Sequence, residues 1–221
     1  MYKISNDTLC YATCAIGFFC LLTWHAWLVE DAFITFRTID NFINGYGLTW
    51  NVSERVQAYT HPLWMFVLSL IYFITGEMCY SAMIFSITIS VGGAIALAVR
   101  IAPTRYTGVA ALLTLASSQA YIDYATSGLE NPMTHLIVVS FYIKYLRTGN
   151  NYESPLVLAL LASLGALNRM DTLLFFLPIL CAKTIAKPRT RTVGYIALGF
   201  VPFLIWEIFS LIYYGFPFPN T

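Results

Sequence analysis

Eight apolar segments follow one another along this chain, and they set the first limit on its fold. Hydrophobic residues make up 58% of the sequence and charged residues only 10%, a balance outside the range of soluble domains. A membrane-spanning helix needs about 20 apolar residues, with about 17 as the lower limit. The sequence therefore predicts an all-α membrane protein, built as a single transmembrane module over residues 1–221. The apolar segments lie at residues 8–29, 61–76, 80–100, 106–126, 131–147, 155–168, 171–187 and 193–214.

The charged and sulfur-containing residues exclude several classes of protein. The net charge is +1 and no basic face is present, so the sequence predicts no nucleic-acid partner. The five cysteines lie in or beside apolar segments without metal-ligand spacing, which predicts small buried thiols and no metal-binding residues. The first apolar segment is too long for a cleaved leader and lacks a small-residue cleavage site, so we predict an uncleaved signal-anchor.

The basic residues limit how many segments cross the membrane. The loops at residues 100–105, 144–147 and 187–191 carry Lys and Arg and should all be cytoplasmic, but eight crossings would place them on both sides. The second segment holds only the 14 residues Pro62–Thr75, about 21 Å of helix against a hydrocarbon core of about 30 Å. If this segment lies along the outer face, every basic loop becomes cytoplasmic. The sequence therefore predicts about seven spanning helices.

The loop after the first apolar segment predicts another membrane-lying helix, over residues 31–44. Its apolar residues recur at steps of three and four, while polar residues such as Arg37 face away. Asp31 is predicted to cap its start, and Gly45 and Gly47 are predicted to end it in a left-handed conformation. The apolar stripe consists of Phe33, Phe36, Ile39 and Ile43.

An acidic pair, Glu30 and Asp31, stands where the first apolar segment ends. Asp31 alone is explained by helix capping, but a second carboxylate beside it has no capping use. Ionisable residues concentrated at a membrane boundary mark binding or chemistry. With the predicted topology, the outer face also collects other polar groups, which are Arg37, His61, Glu130, Arg169 and Asp171.

Each of these other residues has a simple structural alternative. His61, before a proline, could be an exposed residue at a helix start. Arg169 and Asp171 could form an ion pair within a hairpin. Glu130 could be a first-turn carboxylate favoured by the helix dipole.

Their joint placement favours a site instead. A catalytic base must reach the proton it removes, and an anionic leaving group needs a fixed positive partner. We interpret Asp31 as the base, with Glu30 as a second catalytic carboxylate, and Arg169 as the phosphate-binding cation, aided by Arg37 or His61. A lipid phosphate, half in the bilayer, is the substrate class that this chemistry indicates. The predicted substrate-binding residues are Arg37, His61, Glu130, Arg169 and Asp171.

Several motifs then make a family resemblance visible. The chain resembles the membrane-embedded GT-C glycosyltransferases, which use polyprenyl-phosphate sugars, and is most similar to the bacterial branch that contains the terminal arabinofuranosyltransferases. The matches run through the whole chain in the same order. They are EDAFITFR (30–37), GYGL (45–48), Asn51, ERV (54–56), YTHPLW (59–64), SGLEN (127–131), NRMD (168–171) and YYGFPFPNT (213–221).

The resemblance implies a module of about seven transmembrane helices with two juxtamembrane helices in the first external loop. It implies an inverting enzyme of the bacterial inner (cytoplasmic) membrane, with its active site facing the periplasm or exterior. A sugar would pass from a polyprenyl-phosphate donor to a cell-envelope glycan, lipid or protein acceptor. No organic cofactor is implied, and a divalent cation is left open because some members need one.

The chain departs from the family pattern at three points. Glu30 replaces the more usual Asp, so the identity of the base is open between Glu30 and Asp31, with Asp31 favoured. His61 stands where many members have Ser. The sequence ends after PNT, where relatives continue with more helices and often an external domain. The alternative interpretation is a non-catalytic or truncated module that binds lipid phosphate, or a subunit completed by a partner that supplies the C-terminal region.

Overall fold

The computed structural model describes residues 6–148, 155–186 and 190–219, and every regular element in these ranges is helical. The all-α class is therefore confirmed for the described residues. Lys3, part of the basic loop at 187–191 and the last two residues of the PNT motif lie outside them. The α-helices are α1 Asn6–Trp24, α2 Ala32–Ile43, α3 Pro62–Thr75, α4 Cys79–Arg100, α5 Arg105–Ser117, α6 Gln119–Tyr124, α7 Asn131–Thr148, α8 Pro155–Asn168, α9 Leu173–Ala186, α10 Thr190–Gly199 and α11 Val201–Tyr214, with a 3-10 turn at Met170–Thr172 before α9.

Few of these helices meet the length of a membrane span. Among the described residues, Asp7–Trp24 and Cys79–Arg100 are long and apolar enough to cross, and α10 with α11 makes a third candidate if the pair is one span bent by 50°. These helices and the apolar composition are those of a membrane protein. The arrangement with seven spans stays a prediction.

Two of the predicted apolar segments are broken by local capping and proline chemistry. Ser118 has an extended backbone, and its side chain accepts a hydrogen bond from the Tyr121 amide, which starts α6 as a separate helix. Pro202, in the first turn of α11, has no amide hydrogen to continue the ladder of α10. Periodicity of apolar residues does not reveal such breaks, because both sides of each break are apolar.

The helix α3 has the predicted bounds. Proline occupies its first turn and it ends at Gly76, which adopts a left-handed φ of 67°. Its inner side packs against α2, α4 and α8 and buries Trp64 and Met65 completely. Its length of 14 residues fits the prediction that it does not cross the membrane, and that prediction remains to be tested.

The predicted apolar stripe of α2 is only partly buried inside the protein. Phe36 and Ile39 are buried, but Phe33 is 50% exposed, and the short polar Thr35 and Thr38 are buried in its place. The first turn of α2 packs tightly against the SGLEN turn, with the side of Thr35 and Phe36 facing inward. A Cβ added at Gly128 would lie 2.8 Å from the Cβ of Ala32, so glycine is the residue that fits at position 128.

The end of α2 follows the prediction. Gly45 and Gly47 have φ angles of 83° and 88°, in the left-handed region that glycine tolerates best. The Gly45 amide donates to Phe42 O at 3.2 Å and the Tyr46 amide donates to Asn41 O at 2.9 Å. This pair of bonds is the Schellman arrangement that terminates helices.

Candidate active site

The SGLEN turn positions the acidic pair. The Val29 amide donates to Ser127 O at 3.0 Å, so the segment just before the pair is fixed to this turn. The buried indole of Trp64 donates from Nε1 to Gly128 O at 2.9 Å. Gly128 itself has a φ of 85°. The start of α2 is therefore held by contacts among the segment before it, the SGLEN turn and α3.

The two acidic residues are not engaged in capping. Asp31 occupies the N-cap position of α2, but its backbone is already helical and its side chain makes no capping hydrogen bond. The prediction that Asp31 caps α2 is therefore wrong. The amides of the first turn instead meet backbone oxygens, as in the bond from Phe33 N to Glu30 O at 3.0 Å. Glu30 and Asp31 are exposed, and neither carboxylate has a hydrogen-bond or ion-pair partner among the described residues.

Four of the predicted residues form one chain of close polar contacts. Glu130 is at its centre, with Oε2 at 3.2 Å from Nδ1 of His61 and Oε1 at 3.2 Å from Nη1 of Arg169. Arg169 also binds Asp171 bidentately, with Nη2 to Oδ2 at 2.8 Å and Nε to Oδ1 at 3.1 Å. Residues far apart in sequence thus meet here, although their roles in substrate binding stay predictions.

Backbone turns hold this chain in place. Asn168 is fully buried, and its Nδ2 donates to Glu130 O at 3.0 Å and to Thr134 Oγ1 at 2.8 Å. The NRMD turn is thereby bound to the SGLEN turn. Gly165 permits the fold of this turn, because an added Cβ would collide with the ring of Phe176.

Thr35 links this chain of residues to α2. Its Oγ1 lies 2.8 Å from Nε2 of His61. Thr35 is four residues after Asp31, so the two side chains lie on the same face of the helix start. Sequence reasoning missed Thr35, although its spacing from Asp31 would have identified it as a neighbour of the carboxylate.

The imidazole of His61 is neutral in this environment. Burial lowers the pKa of His61, and this outweighs Glu130, which acts to raise the pKa, while Arg169 lowers it further. Nδ1 of His61 lies 3.2 Å from Glu130 Oε2 and 3.3 Å from the Thr60 hydroxyl oxygen. Nε2 lies 2.8 Å from the Thr35 hydroxyl oxygen, and the tautomer of the ring sets which partner donates in each hydroxyl contact.

Arg169 retains capacity for a ligand. Its hydrogen bond with Asp171 raises the pKa of Arg169 and lowers the pKa of the Asp171 carboxyl. Of the five N–H bonds of a guanidinium, the contacts with Glu130 and Asp171 use three. The side chain of Arg169 is 40% exposed. Two carboxylates and one guanidinium beside a neutral imidazole leave this group with a net negative charge.

Glu30 and Arg37 lie elsewhere, on the wall of a separate cavity. The cavity has a volume of about 570 Å³ and lies between α2, the end of α3 and the start of α4. Arg37 donates from Nε to Trp50 O at 3.0 Å, and its guanidinium lies 4.9 Å from the centre of the Trp50 ring. The predicted site residues thus divide into two groups, and Arg37 does not join Arg169.

The first loop is fixed to the C-terminal YYG motif. Tyr214 donates from its hydroxyl to Leu48 O at 2.8 Å and lies 3.1 Å from the Tyr59 hydroxyl. A Cβ at Gly47 would lie 2.6 Å from the Tyr213 hydroxyl. These contacts bring the GYGL and YYG motifs together in the structure.

Among the described residues, no group of three or more His, Cys, Asp or Glu side chains is arranged to hold a metal ion. The use of a divalent cation therefore stays open as a prediction about the reaction.

Comparison with known proteins gives two relatives of the same kind. The chain is 28% identical, over 88% of its length, to the terminal beta-(1->2)-arabinofuranosyltransferase of Mycobacterium tuberculosis. It is 26% identical, over its full length, to the protein of that name from Corynebacterium glutamicum. The matched regions are 34% and 36% of those relatives, so the chain spans about a third of their length. No family model matches the chain, and no solved structure matches it. The two relatives confirm what the motifs indicate, that this chain is related to the terminal arabinofuranosyltransferases.

Proposed function

We propose that this chain carries the active site of a glycosyltransferase. It moves a sugar from a polyprenyl-phosphate donor to an acceptor hydroxyl of a cell-envelope glycan, lipid or protein, at the outer face of the bacterial cytoplasmic membrane. The observation that carries the proposal is the exposed carboxylate of Asp31, which has no hydrogen-bond or ion-pair partner among the described residues and lies four residues before Thr35, whose hydroxyl contacts His61. The names of the two relatives make arabinofuranose the first sugar to test.

The reaction needs one base at the acceptor. Asp31 accepts the proton of the acceptor hydroxyl, and the oxygen attacks the anomeric carbon from the side opposite the phosphate. The bond between that carbon and the phosphate oxygen breaks, and the polyprenyl phosphate leaves with the electron pair. An exposed carboxylate without a cap bond suits this role, because no donor among the described residues competes for its lone pairs.

Arg169 is the proposed partner of the leaving phosphate. Its two unused N–H bonds and its partial exposure support this role. The net negative charge around it opposes an incoming phosphate, so we propose that the phosphate displaces Asp171, whose side chain is 60% exposed. Glu130, held by His61, keeps the guanidinium in place during this exchange.

The rival proposal is a non-catalytic module that binds lipid phosphate or completes a partner subunit. The observation that favours it is the extent of the match, about a third of each relative. An enzyme of the proposed kind needs its own base and phosphate partner, whereas a binding module needs only the second. Catalysis by the isolated chain therefore separates the two proposals.

The test is transfer by the purified protein in lipid nanodiscs. The donor is arabinofuranosyl farnesyl phosphate, and the acceptor is the methyl glycoside of an arabinofuranose disaccharide. We expect a trisaccharide whose new bond has the anomeric configuration opposite to that of the donor, measured by NMR. Binding of the donor without any transfer or hydrolysis would support the rival. Transfer with retained configuration would rule out the single-displacement mechanism.

A further inference from the structure

The cavity beside α2 is a second candidate binding site, and the proposed reaction assigns no ligand to it. Its volume of about 570 Å³ lies within the range of small-ligand sites. It is open to the exterior of the protein, so a ligand could enter without any change of fold. Its wall includes Glu30, Phe33, Arg37, Asp40, Trp50 and Tyr72.

Two acceptor-only groups, Glu30 and Asp40, lie in the polar part of its wall. Asp40 Oδ1 accepts from the Tyr72 hydroxyl at 3.0 Å and from Asn44 Nδ2 at 3.1 Å, which orients the carboxylate and leaves Oδ2 for a ligand. Glu30 has no partner among the described residues. Since ionised carboxylates only accept, a ligand that fits must present several hydrogen-bond donors.

The charged side chains of the wall disfavour an anion. Glu30 and Asp40 contribute two negative charges against the single positive charge of Arg37. That guanidinium donates from Nε to Trp50 O at 3.0 Å and lies 4.9 Å from the centre of the Trp50 ring, which ties it to the wall. A phosphate or carboxylate ligand would meet net repulsion from the two carboxylates.

The apolar part of the wall is aromatic and accessible. Phe33 is 50% exposed and Trp50 is 39% exposed. The negative face of an aromatic ring attracts weakly positive C–H bonds. A sugar combines such a C–H face with a ring of hydroxyl donors, and it carries no charge.

We propose that this cavity binds the acceptor sugar of the transfer reaction. The proposal rests on the proposed function and adds the position of the second substrate. Glu30 binds an acceptor hydroxyl at the cavity wall, and Asp31 is the next residue, with about 3.8 Å between their Cα atoms. The two acidic residues thus have separate roles. Glu30 binds the acceptor sugar, and Asp31 accepts the proton of the attacking hydroxyl.

The kinetic test uses the nanodisc assay with Asp40→Asn and Trp50→Leu. We expect each change to raise the KM for the disaccharide acceptor by about tenfold, equal to about 1.4 kcal/mol of binding, with a much smaller change in the KM for the donor. Matched controls are Asp7→Asn and Trp24→Leu, which alter exposed residues away from the cavity. An acceptor KM that stays at the wild-type value in both cavity variants overturns the proposal.

Direct binding separates this proposal from the proposed function. Calorimetric titration of the same disaccharide, without donor, should show binding that weakens in both cavity variants and not in the controls. If this holds but no transfer occurs, the site stands and the proposed function fails. If transfer occurs while neither acceptor KM nor disaccharide binding depends on the cavity, the function stands and the site fails. Loss of farnesyl phosphate binding in place of sugar binding would also overturn the acceptor assignment.

Discussion

The two sides of α2 differ in how their polar groups are satisfied. On the side of Thr35, the carboxylate of Glu130 and the imidazole of His61 are more than 90% buried and paired with each other. On the cavity side, Glu30 and Asp40 are exposed among aromatic rings. Asp31 lies at the helix start, where the two sides meet.

The difference indicates that the two sides of α2 have different functions. Buried polar groups that are fully paired hold one geometry, because separating them in a low-dielectric environment is costly. Such a group suits a leaving phosphate, which needs a fixed partner. Exposed acceptors beside aromatic faces adapt to a ligand with many hydroxyls.

The largest effect is expected at Asp31. Because its side chain makes no capping bond, Asp31→Asn should leave folding nearly unchanged and remove only the base. Loss of a general base typically costs on the order of a hundred- to ten-thousand-fold in rate. We expect that loss in turnover at saturating acceptor, measured in the nanodisc assay.

Glu30→Gln is the matched control for this change. It lies one residue away and on the cavity wall, so its main effect should be on the KM for the acceptor. If Glu30→Gln abolishes turnover while Asp31→Asn keeps it, the base is Glu30 and the two sides exchange roles. If both variants remain fully active, the acidic pair has no part in the chemistry.

The next effect is expected at Arg169. Arg169→Lys keeps the charge but loses the planar fork that binds Asp171 and Glu130 together. A hydrogen bond to a charged group contributes about 1.5–3 kcal/mol, so turnover should fall roughly ten- to a hundredfold. Arg37→Lys is the matched control on the cavity side, and its donor KM should stay near the wild-type value. Unchanged turnover in Arg169→Lys would remove this residue from the phosphate site.

The sequence allowed the helices to be predicted more fully than the site. Long apolar runs and Gly or Pro boundaries placed α3 and α4 within one residue of their observed ends, because those signals are local. The division of the site into two groups was not predictable, since it depends on which face of α2 packs against the SGLEN turn. Thr35 and Thr38 are polar in sequence yet buried, and only tertiary packing decides that.

A smaller effect of opposite sign is expected at Asp171. Its carboxylate occupies two N–H bonds of Arg169, and a phosphate must displace it. An exposed ion pair contributes at most about 1 kcal/mol, so Asp171→Asn should tighten binding of farnesyl phosphate by about two- to fivefold. Titration calorimetry measures this directly, with Asp40→Asn as the control from the cavity side. Weaker phosphate binding in Asp171→Asn would mean that Asp171 helps to hold the phosphate.

The smallest effect is the pH dependence of stability that His61 produces. Because the pKa of His61 is lowered in the folded protein, the unfolded chain takes up the proton first as pH falls below about 6.5. The unfolded state then binds more protons, so stability falls as pH drops from about 6.5 toward the folded pKa, by at most about 1.4 kcal/mol per pH unit. The melting temperature in detergent should therefore decrease between pH 7 and pH 5.

His61→Gln isolates this contribution. Its melting temperature should depend less on pH over the same interval, and the difference between the two proteins cancels the effects of other histidines. The lowered pKa of Asp171 acts only below about pH 4, its ordinary range, and does not interfere. An equal slope in His61→Gln and the wild type would show that the imidazole is not held neutral, and the contrast between a fixed and an adaptable side of α2 would lose its electrostatic basis.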